Sequence, residues 1–259
     1  MRIYRIAESF RRVAKGCAKS ARPAVFIALS LLTLAATGCA TITTPQANAN
    51  MNVEIRIKDF QQGTSQIIVR FADTRNNTVQ FVSGETIACD DQFLRYDSGY
   101  VERLLGLGAY IGDIPRVPAG GAYKFAYTPA RASATAPTRD PVVVSVNVVN
   151  APVHVTSPTS GSVVPIPKSA PLTIHYDPMS LANTTILAVA VDSRAQVTFT
   201  LPQRETGTIT MQPDQFNNFN PGPGVFSLVR VTNVSHGNAP FNKVTINYEN
   251  ISQFPVTWQ

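Results

Sequence analysis

From Val53 onward, apolar and polar side chains take turns along this chain. Val53, Ile55 and Ile57 alternate with Glu54, Arg56 and Lys58. A period of two is that of a pleated strand, whose successive side chains point to opposite faces. Strand patterns recur at 66–71, 78–82, 86–89, 92–96, 121–127 and 141–149. After residue 150 they recur at 153–155, 172–176, 185–191, 196–201, 207–211, 225–231 and 243–248. Turn formers separate them, as in Asp73-Thr-Arg-Asn-Asn77, because Asp and Asn bond their own backbone and tolerate left-handed conformations. Only 100–108 suits a helical turn, and Gly106 and Gly108 oppose a long helix. The pattern predicts an all-β protein.

The chain has three cysteines, Cys17, Cys39 and Cys89, and only Cys89 falls within the strand pattern. A lone thiol closes no intramolecular disulfide, so the fold must rest on its apolar cores. Cys89 itself reads as a buried, inert side chain in the alternating Glu85-Thr-Ile-Ala-Cys89.

The N-terminal segment has a different character. Seven Lys and Arg side chains against the single Glu8 precede an apolar run, Ala24-Val-Phe-Ile-Ala-Leu-Ser-Leu-Leu-Thr-Leu-Ala-Ala-Thr-Gly-Cys39. Basic, apolar, then small residues is the layout of a secretory signal peptide. The run is short of the roughly 20 residues that a spanning helix needs. Its end, Ala36-Thr37-Gly38-Cys39, resembles the lipobox of bacterial lipoproteins, with Ala36 in place of the commoner leucine. That resemblance implies cleavage between Gly38 and Cys39 and acylation of Cys39. It makes 1–38 a signal peptide and 39–52 a lipidated cysteine with a flexible, polar tether. Ala40, rather than Asp, after the cysteine implies passage to the outer membrane.

Removing the leader changes the electrostatics. Of 22 basic and 16 acidic side chains, seven and one lie in residues 1–39, so the remainder carries fifteen of each. No basic cluster is left to neutralise phosphates, which excludes nucleic acid as a partner.

Two stretches 103 residues apart look alike: Pro118-Ala-Gly-Gly-Ala-Tyr-Lys-Phe-Ala-Tyr127 and Pro221-Gly-Pro-Gly-Val-Phe-Ser-Leu-Val-Arg230. In each, a Pro/Gly turn feeds a strand. Together with the strand count and the segment from Pro158 to Pro178, this resembles the immunoglobulin-like superfold. The resemblance implies two tandem β-sandwich domains, 53–150 and 151–259, with a junction at Asn150-Ala-Pro152.

Catalytic motifs are lacking. His154, His175 and His236 share no ligand spacing with one another or with a cysteine. Asp90-Asp91, near Asp97 and Glu102, lacks the alternating oxygens of a calcium loop and reads as a solvated turn. No nucleophile elbow and no phosphate-cradling glycine loop is present. The chain is therefore expected to be no enzyme, with no metal and no cofactor. Phe216-Asn-Asn-Phe219, aromatic in an otherwise polar loop, is the candidate binding loop, with plugging of the core as the competing role.

The expected function is a membrane-anchored, non-catalytic binding or scaffolding module of the cell envelope. Its partners would be the membrane, through the lipid, and an envelope protein or glycan. Two alternatives are an envelope enzyme acting on glycans through carboxylates assembled by the fold, and a subunit of a multiprotein envelope complex.

Overall fold

The computed structural model describes residues 41–42, 47–102, 106–131, 140–179 and 183–259. The expected signal peptide, its Gly38/Cys39 cleavage site and the lipidated Cys39 lie outside them. Among the described residues the protein is all-β, with two short 3-10 turns and no α-helix. The strands are β1 (Thr41–Ile42), β2 (Met51–Gln62), β3 (Thr64–Asp73), β4 (Thr78–Val79), β5 (Thr86–Cys89) and β6 (Gln92–Phe93). Next come β7 (Arg95–Glu102), β8 (Gly106–Pro115), β9 (Ala122–Thr128), β10 (Val142–Asn147), β11 (Val155–Ser157) and β12 (Val163–Val164). The last six are β13 (Leu172–Tyr176), β14 (Thr184–Val191), β15 (Val197–Phe199), β16 (Thr208–Met211), β17 (Gly222–Val234) and β18 (Lys243–Trp258).

One large sheet runs through both halves of the chain, in the order β1-β4-β3-β2-β18-β17-β14-β15, with β8 on β3 and β12 on β18. Its centre is a parallel pair between β2 and β18, in register from Asn52 opposite Lys243 to Asp59 opposite Asn250. Two smaller sheets accompany it, β10-β9-β5-β6 and β11-β13-β16.

Each small sheet shares a core with the large one. In the first core Val53, Ile55, Ile57, Val69 and Phe71 of the large sheet meet Ile87, Cys89, Tyr123, Phe125, Tyr127 and Val146 of the four-stranded sheet. In the second, Ile186, Ala188, Phe226, Leu228 and Trp258 meet Ile174, Tyr176, Ile209 and Met211 of the three-stranded sheet. The hairpin β17–β18 is long enough to serve both. Val244, Ile246 and Tyr248 belong to the first core, while Val256 and Trp258 belong to the second. Packing thus crosses the expected junction at 150/151, because the last strand returns to the first.

Between the cores, the same face of the large sheet turns polar. Asp59, Asn250 and Arg230 lie opposite one another on β2, β18 and β17, all buried. The outer face carries a buried Arg56–Glu249 ion pair and Arg70 bound to Glu54 and Asn76.

Local chemistry explains the turns. Asp73 Oδ1 accepts the Arg75 and Asn77 amides, at 2.9 and 2.7 Å, and shapes the expected turn after β3. Asp90 and Asp91, both at positive φ (46° and 64°), form the two-residue link from β5 to β6. Two positive-φ residues define a type I′ turn, whose twist matches that of the flanking strands. Gly224 is required by close approach, since a Cβ there would overlap the Trp258 indole and the Val191 carbonyl oxygen. In the expected tether, 39–52, described residues take part in the fold. The strand begins at Met51, which is buried, and Thr41–Ile42 pairs in parallel with Thr78–Val79.

Candidate functional site

The loop singled out by its aromatics closes the end of the second core. Pro213–Phe216 is a single 3-10 turn with a reciprocal cap, the side chains of Gln212 and Gln215 each accepting the other's backbone amide. Gln215 Nε2 also donates to the Phe199 carbonyl of β15 at 2.7 Å. Phe216 is 2% exposed and packs at 4.9 Å from Phe219 and 5.9 Å from Trp258, between ring centroids. The Phe219 ring is half-buried and meets Trp258 edge-on at 5.4 Å. Phe216 therefore belongs to the core, and Phe219 stands at its rim.

The far side of the loop is tied down by a carboxylate. Asp192 Oδ1 accepts the Arg194 and Gln196 amides, at 2.9 and 2.8 Å. Its Oδ2 accepts the amide and side-chain nitrogens of Asn220, at 2.8 and 3.0 Å. Burial acts to raise the carboxyl's pKa, but these hydrogen bonds outweigh it and hold the pKa below the usual carboxylate value. The anion is thus a structural brace beneath the loop.

Phe219 and Asn217 separate two clefts. One, of about 420 Å³, is lined by Arg194, Gln196, Asn217, Asn218, Phe219 and Asn220. The other, of about 310 Å³, is lined by Ile166, Pro167, Lys168, Phe216, Asn217, Phe219, Pro221 and Gln259. Among these residues there is no Asp or Glu, and each cleft has one cation. The chemistry on offer is carboxamide hydrogen bonding beside an aromatic ring. The sequence identified Phe216 and Phe219 but not Asp192, Asn220 or Gln196. The available signal was Asp192 opening the turn Asp192-Ser-Arg-Ala-Gln196, which reads as an ordinary surface loop.

The other candidates are dispersed. Cys89 is fully buried, and burial pushes its thiol pKa far up, with Asp90 adding to the shift. Asp90 Oδ1 accepts the Lys124 amide at 2.9 Å, a bond that ties the β5–β6 turn to β9. No group of three or more His, Cys, Asp or Glu among the described residues is placed to hold a metal.

A second surface feature is apolar. Phe93, Ala88, Ala126 and Val143 stand opposite one another on β6, β5, β9 and β10. Cys89 and Phe125 point into the core, so this row is on the outer face. Phe93 is 71% exposed and Val143 58%. No family model, curated protein or solved structure matches the chain.

Proposed function

We propose that this chain is a lipid-anchored lipoprotein of the bacterial cell envelope, placed at the outer membrane, that acts as a non-catalytic binding or scaffolding module. In this reading the chain carries two immunoglobulin-like β-sandwiches held on a common sheet. The observation that carries it is Ala36-Thr37-Gly38-Cys39 at the end of a basic and then apolar leader. Several acyl chains on one cysteine bind a bilayer stably, at roughly 0.8 kcal/mol per buried CH₂, where one chain does so only marginally. The pairing of Thr41–Ile42 with β4 supports an anchor close to the folded body. Carboxamide-lined clefts at the opposite end of β18 from Lys243 support a binding role.

The test is metabolic labelling with an alkynyl fatty acid, followed by separation of membrane from soluble material. Wild-type protein should take up the label and sediment with the outer membrane, and Cys39→Ala should not be labelled. An unlabelled wild-type protein would overturn the anchor.

A second reading, a subunit of a multiprotein envelope complex, is favoured by the exposed row from Phe93 to Val143. Crosslinking in intact cells would support it through one dominant protein partner that is lost from Phe93→Ser. Recovery of the protein alone would sink it.

A further inference from the structure

We propose that the cleft formed by Arg194, Gln196, Asn217, Asn218, Phe219 and Asn220 binds a neutral carbohydrate chain. This deepens the binding-module reading, and rests on it for the supply of an envelope glycan.

The lining decides the ligand class. A carboxamide offers two N–H donors and a carbonyl acceptor on one planar group, and a sugar hydroxyl both donates and accepts. Asn217 and Asn218 are exposed and Gln196 is half-exposed, so three such groups face the cleft. Arg194 is its one charged group, so an anionic ligand would find a single counter-charge, and a cation would find none. The half-buried Phe219 ring, held edge-on by Trp258, adds only a small apolar area at one side of an otherwise polar cleft, so hydrogen bonds between hydroxyl and carboxamide groups carry the recognition. The cleft, of about 420 Å³, is wide open to solvent, so the sugar chain would lie along it rather than be enclosed by it.

The loop is also held in place before any ligand arrives. Phe216 is sunk in the core, Gln212 and Gln215 cap the turn, and Asn220 is bound to Asp192 on two nitrogens. Little ordering is left to offset the gain from contacts, which is the condition for useful affinity from a few hydrogen bonds. An extended peptide fits less well. Strand addition needs unpaired backbone groups, and Gln215 already occupies the Phe199 carbonyl of the terminal strand β15.

The sequence supplies its own reporter, because Trp258 is the only tryptophan and touches Phe219. Full-length protein is titrated with chitotetraose, which carries acetamido groups, with maltotetraose, which does not, and with tetra-alanine. A saturable change in tryptophan fluorescence is expected with at least one of the sugars, and the pair of sugars separates an N-acetylated wall glycan from a plain glucan. Asn217→Ala/Asn218→Ala, at two exposed positions, should keep the melting temperature and bind about tenfold or more weakly. No saturable change with either sugar overturns the proposal, as does an equal response in the double variant. A response to tetra-alanine alone replaces it with a peptide site. Cys39→Ala keeps the readings apart: sugar binding retained without acylation sinks neither the cleft nor its ligand, whereas acylation without sugar binding sinks only the cleft.

Discussion

Arg230 lies in β17 with its side chain wholly buried, and all five of its N–H groups have acceptors. Nε and one Nη2 hydrogen bind Glu205, at 2.6 and 2.9 Å. The second Nη2 hydrogen reaches the Asp177 carbonyl at 2.9 Å, and Nη1 reaches those of Ala151 and Pro152. One side chain therefore ties the junction, the end of β13 and the loop before β16 to the shared sheet. Removing one partner of such a pair leaves a buried charge and orphaned carbonyls, at a cost of about 3–5 kcal/mol. Arg230→Ala should lower the urea midpoint accordingly. Arg230→Lys should recover only part of the loss, because an ammonium cannot reproduce the fork. Acid should act through two other carboxylates. Burial acts to raise the pKa of Asp73 and Asp192, yet hydrogen bonds from Asn77 and Arg75, and from Asn220, Gln196 and Arg194, bring both below the ordinary 3.8. A pKa lower in the folded state gives stability that is complete above the unfolded value and is lost as pH falls through the folded one. The urea midpoint should therefore stay level from about pH 7 to 5 and fall below about pH 4. Asp192→Asn should be less stable at neutral pH and show a shallower acid limb; an unchanged limb in Asp192→Asn and Asp73→Asn alike would contradict the assignment.

The β5–β6 hairpin shows what an element encodes locally. Its turn needs positive φ twice, which Asp tolerates and Gly adopts at no steric cost. Asp91→Gly should add up to about 1 kcal/mol, or 2–4 °C in Tm, measured by thermal unfolding. Such local rules made the strands legible, since alternation and turn formers are written in adjacent residues. The sheets were not. β2 meets β18 across some 190 residues, and parallel pairing leaves no mark on neighbouring side chains. The resemblance of 118–127 to 221–230 predicted equivalent strands, yet β9 lies in the four-stranded sheet and β17 in the large one. Arg230 reads in sequence as the polar member of an alternating strand, because Glu205 and the carbonyls that bury it come from distant segments. The candidate loop was half legible for the same reason. Two phenylalanines in polar surroundings stand out, but the Asp192 brace is 28 residues from Asn220.

At the scale of the whole molecule, β18 makes the two cores interdependent. Residues 47–150 alone lack Phe241, Val244, Ile246 and Tyr248, and so lose one wall of the first core. Residues 151–259 alone keep a 16-residue strand whose first half has no partner on its β2 side. Neither piece should fold by itself, and the full chain should unfold in one transition, in contrast to tandem modules joined by a linker. Folding should also be slow for a chain of this size, because closure of the central pair joins its two ends. Ile246→Ala tests the coupling directly. The residue sits in the first core, while Trp258 reports on the second. The cavity should cost about 2–5 kcal/mol. If the cores are one cooperative unit, the Trp258 fluorescence midpoint in urea shifts by as much as the far-ultraviolet circular dichroism midpoint. If the fluorescence midpoint stays at its wild-type value while the other moves, the halves unfold separately and the shared strand does not bind them into one unit.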